Sequence, residues 1–393
     1  MSSSFSAAFA RLLRVTSSPR LGLGRMQTLL GHVGDPHIGR AFLHVAGSNG
    51  KGSTLAFLDA LLRGAGYKTG TATSPHLTSV RERIVIGGVP ISAALFVELE
   101  RDIQRAALKM RDDPPTFFER IITMAFLAFR ICDVDIGLVE VGLGGRLDAT
   151  NVITPLATGV AQIALDHQQW LGDDLAGIAA EKAGIFKRGV KAIVQQQDSA
   201  VVDVLRRCAL QRHAPFAVAA PSDATLGLLG SHQKHNAGLA LAMARVFADV
   251  DEAHLADANW PGRMERVHSA PDVWLDGAHN PAGLATLAQQ LPRSPRAVIV
   301  GFTSGHDAVA CAAQVERFAH GPIVCVQARA PRSLPADVVA DAFSRHVMAL
   351  DVDDALERCM SFGETWVVGS LYLVGEVRAR FIDMEVDPVL PNF

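Results

Sequence analysis

Tyrosine is nearly absent from this chain, with two residues among 393, and all aromatic residues together make up 6%. Charge of one sign is missing too: the formal net charge is only -3, with 37 basic and 40 acidic residues. Without an excess of lysine and arginine there is no electrostatic footprint for general nucleic-acid binding, although a local anion site stays open, so the expected partners are small molecules. No stretch reaches the ~18 consecutive apolar residues that span a bilayer, and no membrane association is expected. The cysteines Cys132, Cys208, Cys311, Cys325 and Cys359 are odd in number and never spaced as CxxC. That argues against a disulfide framework or thiolate zinc site and points to a reducing cytoplasm. Residues 1–24 contain arginines and serines but no apolar core of secretory length; they read as a short helix or loose arm, with an organellar presequence as the alternative.

What is present is a patterned α/β chain, long enough for two domains with separate cores. Short apolar runs that read as buried strands (41–46, 69–73, 136–141, 158–164 and 191–195) alternate with helical patterns at 51–64, 93–110, 117–132 and 175–185. This alternation predicts a mainly parallel sheet covered by helices on both faces. Residues 74–88 lack helical periodicity and read as a long loop followed by a hairpin, and long loops inside compact domains are often functional. A second α/β series runs through 273–275, 297–301, 323–326 and 366–369. Trp260-Pro261-Gly262-Arg263 has turn chemistry suited to a link, so the expected domains are 1–260 and 261–393, joined at about 260–266.

The run His44-Val45-Ala46-Gly47-Ser48-Asn49-Gly50-Lys51-Gly52-Ser53-Thr54 follows an apolar strand and opens a helix. There, backbone N–H groups can cradle phosphates. Its glycines allow close backbone approach, Lys51 can reach terminal phosphates, and a Ser53 or Thr54 hydroxyl can face magnesium or a phosphate. The spacing is shorter than GxxxxGK[ST], and Gly52 separates the lysine from the hydroxyl residues. Glu140 ends an apolar run, which puts a carboxylate at the carboxyl edge of a parallel sheet, where such folds bind ligands.

The variant GxNGKGS resembles the phosphate loop of the folylpolyglutamate and dihydrofolate synthases, relatives of the cell-wall Mur ligases. Further blocks similar to that family follow in its order: Thr73-Ser74-Pro75-His76-Leu77, Glu82-Arg83-Ile84, Glu140 to Asn151, Asp166-His167, Glu181-Lys182-Ala183-Gly184-Ile185, His232 to Asn236, Pro261-Gly262-Arg263, Asp276 to Pro281 and Gly369 to Glu376. The resemblance covers roughly residues 22–380. It implies an N-terminal P-loop ATPase domain with a mainly parallel sheet and a smaller C-terminal Rossmann-like α/β domain. It also implies a cytoplasmic, monomeric ligase that uses ATP and Mg²⁺ to join L-glutamate to dihydropteroate or a reduced folate through an acyl phosphate.

By the same resemblance, Asn49, Gly50, Lys51, Gly52, Ser53, Thr54, Asn236, Arg263 and Asp276 contact ATP, while Ser74, Glu140 and His167 hold magnesium. Lys51, Lys182 and His167 take part in catalysis, with Lys182 carbamylated, and Gly22, Thr116, Phe118, Arg146 and Asp148 contact the pterin. His279 and Asn280 are weaker candidates. From the residues alone, His167 reads as an ordinary hydrogen-bonded histidine, because magnesium prefers hard oxygen donors, and Lys182 reads as a solvated helix residue. The chain departs from the family at His306, where many relatives have lysine before Asp307, and at residues 361–365. The wording of Gly144 to Asn151 is similar to bacterial enzymes that add the first glutamate and often extend the tail. Rival readings are a ligase of the same architecture acting on another carboxylate and a non-catalytic ATP-binding regulator. A dinucleotide oxidoreductase is disfavoured because no GxGxxG opens a helix at Gly142-Leu143-Gly144-Gly145.

Overall fold

The computed structural model describes residues 2–15, 20–165, 172, 174–291, 294–305, 307–330, 332–382 and 387. His167 and His306 lie outside the described residues. In chain order the elements are α1 Ser2–Leu13, α2 Gly24–His32, β1 Phe42–Ala46, α3 Lys51–Gly64, β2 Thr69–Ala72, β3 Ile84–Ile86, β4 Val89–Pro90, α4 Ala93–Ala107, α5 Phe117–Ile131, β5 Ile136–Glu140, β6 Ala157–Val160, α6 Leu175–Lys182, β7 Lys191–Gln195, α7 Ser199–Gln211, β8 Phe216–Ala219 and α8 Gln233–Phe247. They continue with β9 Glu265–Ser269, β10 Asp272–Leu275, α9 Pro281–Gln290, β11 Ala297–Val300, α10 Ala308–Phe318, β12 Ile323–Cys325, α11 Ala336–Ala340, β13 Val347–Met348, α12 Val352–Met360, β14 Glu364–Val368 and α13 Leu371–Arg378.

The first sheet has strand order β4-β3-β2-β5-β1-β6-β7-β8. From β2 to β8 every pairing is parallel, and β3 and β4 add an antiparallel hairpin at one edge. Alternation along β1 assigns its two faces: Phe42 packs in the core beneath α1, α4 and α5, while Leu43 and Val45 pack against α3 and α8. A strand covered on both faces is apolar throughout, which is why this segment was legible. The hairpin turns on Gly87 and Gly88, both at positive φ, where glycine carries no steric penalty.

The second sheet, β13-β12-β11-β14-β10-β9, is parallel except for the edge strand β9. Helices α9, α10 and α11 share one of its cores, and α12 and α13 the other. The expected α/β architecture, with a large mainly parallel sheet and a smaller second sheet, is what the chain adopts. Strands β8, β9 and β13 were not anticipated. All three are edge strands: β8 is a four-residue apolar run, β13 has only two residues, and β9 has a single apolar residue, Val267. None of the described helices is long and apolar enough to cross a membrane.

Candidate active site

Both sheets point the carboxyl ends of their central strands into one cleft. In the first sheet β1 lies between β5 and β6, and in the second β14 lies between β10 and β11. These are the places where open α/β sheets part their connecting loops and admit a ligand.

On the first side, the loop after β1 is tied to β6 by Ser48 and Asn49 N–H groups, which donate to Gln162 O at 2.8 and 3.2 Å. Gly50 has φ +83°, and a Cβ there would overlap the Asn236 amide. A Cβ on Gly52 would strike the Trp260 indole. Packing therefore demands both glycines, and the positive φ demands Gly50 as well. Lys51 Nζ donates to Gly47 O at 2.9 Å and Ser48 O at 3.2 Å and lies 4.0 Å from Glu140 Oε1. Ser53 and Asn236 are linked through Gln233, whose Nε2 donates to Ser53 Oγ at 3.3 Å and whose Oε1 accepts from Asn236 Nδ2 at 2.9 Å. Thr54 turns inward; it is buried, and its hydroxyl donates to Gly50 O.

Glu140, at the end of β5, is 5% exposed, and its Oε2 accepts from Ser74 N at 3.0 Å. Burial pushes its carboxyl above the ordinary range, opposed by Lys51, the Ser74 N–H, Arg263 and Arg83. A buried carboxylate and a serine, both lining the cleft, supply oxygen donors of the hard type that magnesium prefers. No metal-sized cluster of His, Cys, Asp and Glu occurs among the described residues.

The opposite wall comes from the second sheet. Asp276 follows β10 and accepts from Ala278 N at 2.8 Å and Met264 N at 3.0 Å; burial raises its carboxyl, countered first by Arg263. Asn280 caps α9 through Gly283 N, and its amide donates across the cleft to Asn49 Oδ1 at 3.2 Å. Asn236, Arg263, Asp276 and His279 all line the same space as Lys51 and Ser74.

The residues expected on the pterin side divide. Gly22 and Phe118 line the cleft, and Gly22 N donates to Leu147 O at 3.4 Å. Thr116 and Asp148 line it too but are also structural: Thr116 caps α5 in a reciprocal box with Glu119, and Asp148 caps the turn 149–152. Arg146 is not on the cleft wall; its guanidinium pairs with Glu181 at 2.8 Å. Lys182, at the end of α6, is 3% exposed, and its backbone abuts Gly145. The solvated-helix reading of this residue fails, because the last turn of α6 packs under the loop carrying Gly145.

The sequence assigns no individual role to Arg83 and His76, and places Trp260 only in the link. Arg83 is buried, stacks over Phe117 at 5.2 Å, and donates from Nε to His76 Nδ1 at 2.8 Å. Burial and that guanidinium hold His76 well below the usual imidazole range. The blocks containing these residues were visible in the sequence, but a buried cation against an aromatic ring is a property of the folded cleft.

No family model matches the sequence. Individual proteins do. The chain is 34% identical over 408 residues to the dihydrofolate synthase/folylpolyglutamate synthase of Bacillus subtilis, covering 91% of this chain and 94% of that protein. The structure of Mycobacterium tuberculosis folylpolyglutamate synthase complexed with ADP matches with a TM-score of 0.90 and 32% identity, over 98% of this chain and 99% of that one. The bifunctional folylpolyglutamate synthase/dihydrofolate synthase of Yersinia pestis, complexed with AMPPNP and Mn ion, matches with a TM-score of 0.84 and 28% identity, over 96% and 97% of the two chains.

Proposed function

The chain belongs to the dihydrofolate synthase/folylpolyglutamate synthase family of ATP-dependent ligases, and from that premise we propose that it adds L-glutamate both to dihydropteroate and to reduced folates. A free carboxylate does not condense with an amine in water. Transfer of the γ-phosphoryl group of ATP to the acceptor carboxylate gives an acyl phosphate and ADP; attack by the glutamate amine then forms the amide and releases phosphate. Such chemistry rests on positioning and charge stabilisation rather than on a protein nucleophile.

The observation that carries this reading is one cleft in which Lys51 and Glu140 on the first sheet's side face Arg263, Asp276 and His279 on the second sheet's side. In this scheme the loop 49–53 and Lys51 bind the phosphates, while Thr54, turned inward, only closes the first turn of α3; Asn236, Arg263 and Asp276 take the rest of the nucleotide. Glu140, Ser74 and His167 hold Mg²⁺, which when bound neutralises phosphate charge. Gly22, Thr116, Phe118 and Asp148 form the acceptor side, and Arg146 acts there only by shaping the loop through Glu181. Lys182 is modified to a carbamate, replacing a buried positive charge with a negative one. Residues 1–260 and 261–393 act as two domains of a monomer.

The test is ADP release with Mg-ATP and glutamate, offering dihydropteroate or a monoglutamyl reduced folate and identifying products by mass. Turnover of both acceptors is expected. Turnover of one alone would restrict the enzyme to that step, and turnover of neither by folded protein would sink the folate assignment.

A further inference from the structure

Behind the acceptor side of the cleft lies a buried network of which the reading above uses only Asp148. His44, in the middle of β1, is fully buried, and its Nε2 lies 2.8 Å from Thr150 Oγ1. The same hydroxyl lies 2.5 Å from Asp148 Oδ1, which also accepts from Thr150 N at 2.9 Å. Asp148 Oδ2 accepts from Leu143 N at 2.8 Å.

The protons in this chain can be placed by elimination. A hydroxyl carries one proton, and Asp148, both of whose oxygens accept from backbone N–H groups, is the accepting end of the chain. Thr150 therefore donates to Asp148 and accepts from His44, which makes His44 the Nε2–H tautomer. A second observation agrees: His44 Nδ1 is buried with no hydrogen-bond partner among the described residues. With the proton on Nδ1 instead, a donor would be stranded there. Burial, with the Lys187 ammonium nearby, pushes the imidazole down to about 3, so the ring is a neutral donor. At the other end, burial raises the Asp148 carboxyl, and Thr150 with the N–H groups of Leu143 and Gly142 opposes it only in part.

We propose that His44 and Thr150 are positioning residues for the acceptor. Together they commit the hydroxyl proton to Asp148, so that its carboxyl group is held fixed at the cleft wall to receive N–H donors of the acceptor's heterocycle. His44 belongs to the strand that runs directly into the phosphate loop, so the network ties the acceptor side to the nucleotide side through β1. This inference rests on the acceptor-side reading of Asp148.

Steady-state kinetics of Thr150→Val and Thr150→Ser test it. Loss of one buried hydrogen bond corresponds to a rise of about tenfold in acceptor KM. That rise is expected in Thr150→Val, with ATP KM little changed and Thr150→Ser close to the parent. Equal weakening of both substrates, or no effect of Thr150→Val, would overturn the proposal. Asp148→Asn separates the two levels: if it leaves acceptor KM unchanged, the reading of Asp148 itself fails, whereas an effect there without one in Thr150→Val fails the network alone. Nitrogen-15 NMR of the histidine-labelled parent protein gives a readout independent of variant folding. It should show His44 protonated on Nε2, and a proton on Nδ1 would reverse the direction of the chain and end the proposal.

Discussion

Glu140 is subject to opposing demands. Removal from water favours its neutral form, while Lys51 and the Ser74 N–H favour the charged one, and burial is the largest effect. A carboxyl raised in the folded state holds its proton more tightly there than in the unfolded chain. Between the unfolded range and the raised folded value, stability therefore falls as pH rises. A divalent cation at Glu140 would relieve that cost. Thermal melts should show Mg²⁺ raising Tm more at about pH 8 than at about pH 5, and Glu140→Gln should abolish the difference. An undiminished Mg²⁺ response in Glu140→Gln would remove this carboxylate from the metal site. Lys51→Ala should lower kcat on the order of 10²-fold with an unchanged circular dichroism spectrum, and a folded variant with full turnover would refute the phosphate-loop assignment.

Among the elements, α1 is the one whose status the fold changes most. Its composition left a short helix or a loose arm open. Phe5, Ala8, Phe9 and Leu12 fall on one helical stripe, and all are buried in the core shared with α4 and α5. Phe5 meets Phe96 of α4 edge to face at 5.2 Å. Phe5→Ala should cost about 3–5 kcal/mol in urea unfolding, the range for large aromatic truncations in a core. A loss near zero would mean that α1 is a detachable arm after all. The stripe was present in the sequence, but only a partner surface distinguishes a docked helix from an amphipathic leader.

At the scale of the whole molecule, the cleft depends on how closely the two sheets' layers approach. Gly375 of α13 packs on the backbone carbonyl of Leu77, in the loop that carries Ser74, and a Cβ there would overlap it. Gly375→Ala should wedge this contact apart, raise ATP KM, and enlarge the radius of gyration in X-ray scattering. Parent-like kinetics and scattering would show that the nucleotide does not need this approach.

The amino-acid sequence by itself determined the α/β class, the glycine-rich loop on a strand-to-helix turn, the strand-end placement of Glu140 and the order of the blocks along the chain. These are local: an apolar run buried on both faces, a glycine where φ is positive and a carboxylate after a strand follow from residues that are neighbours in the chain. Tertiary structure alone decided that Arg146 turns to Glu181, that Lys182 is buried, that Arg83 is desolvated against Phe117, and that Asn49 reaches Asn280 across 231 positions. Such contacts join segments far apart in the chain, and a side chain's charge state and partner depend on what the fold removes from water around it.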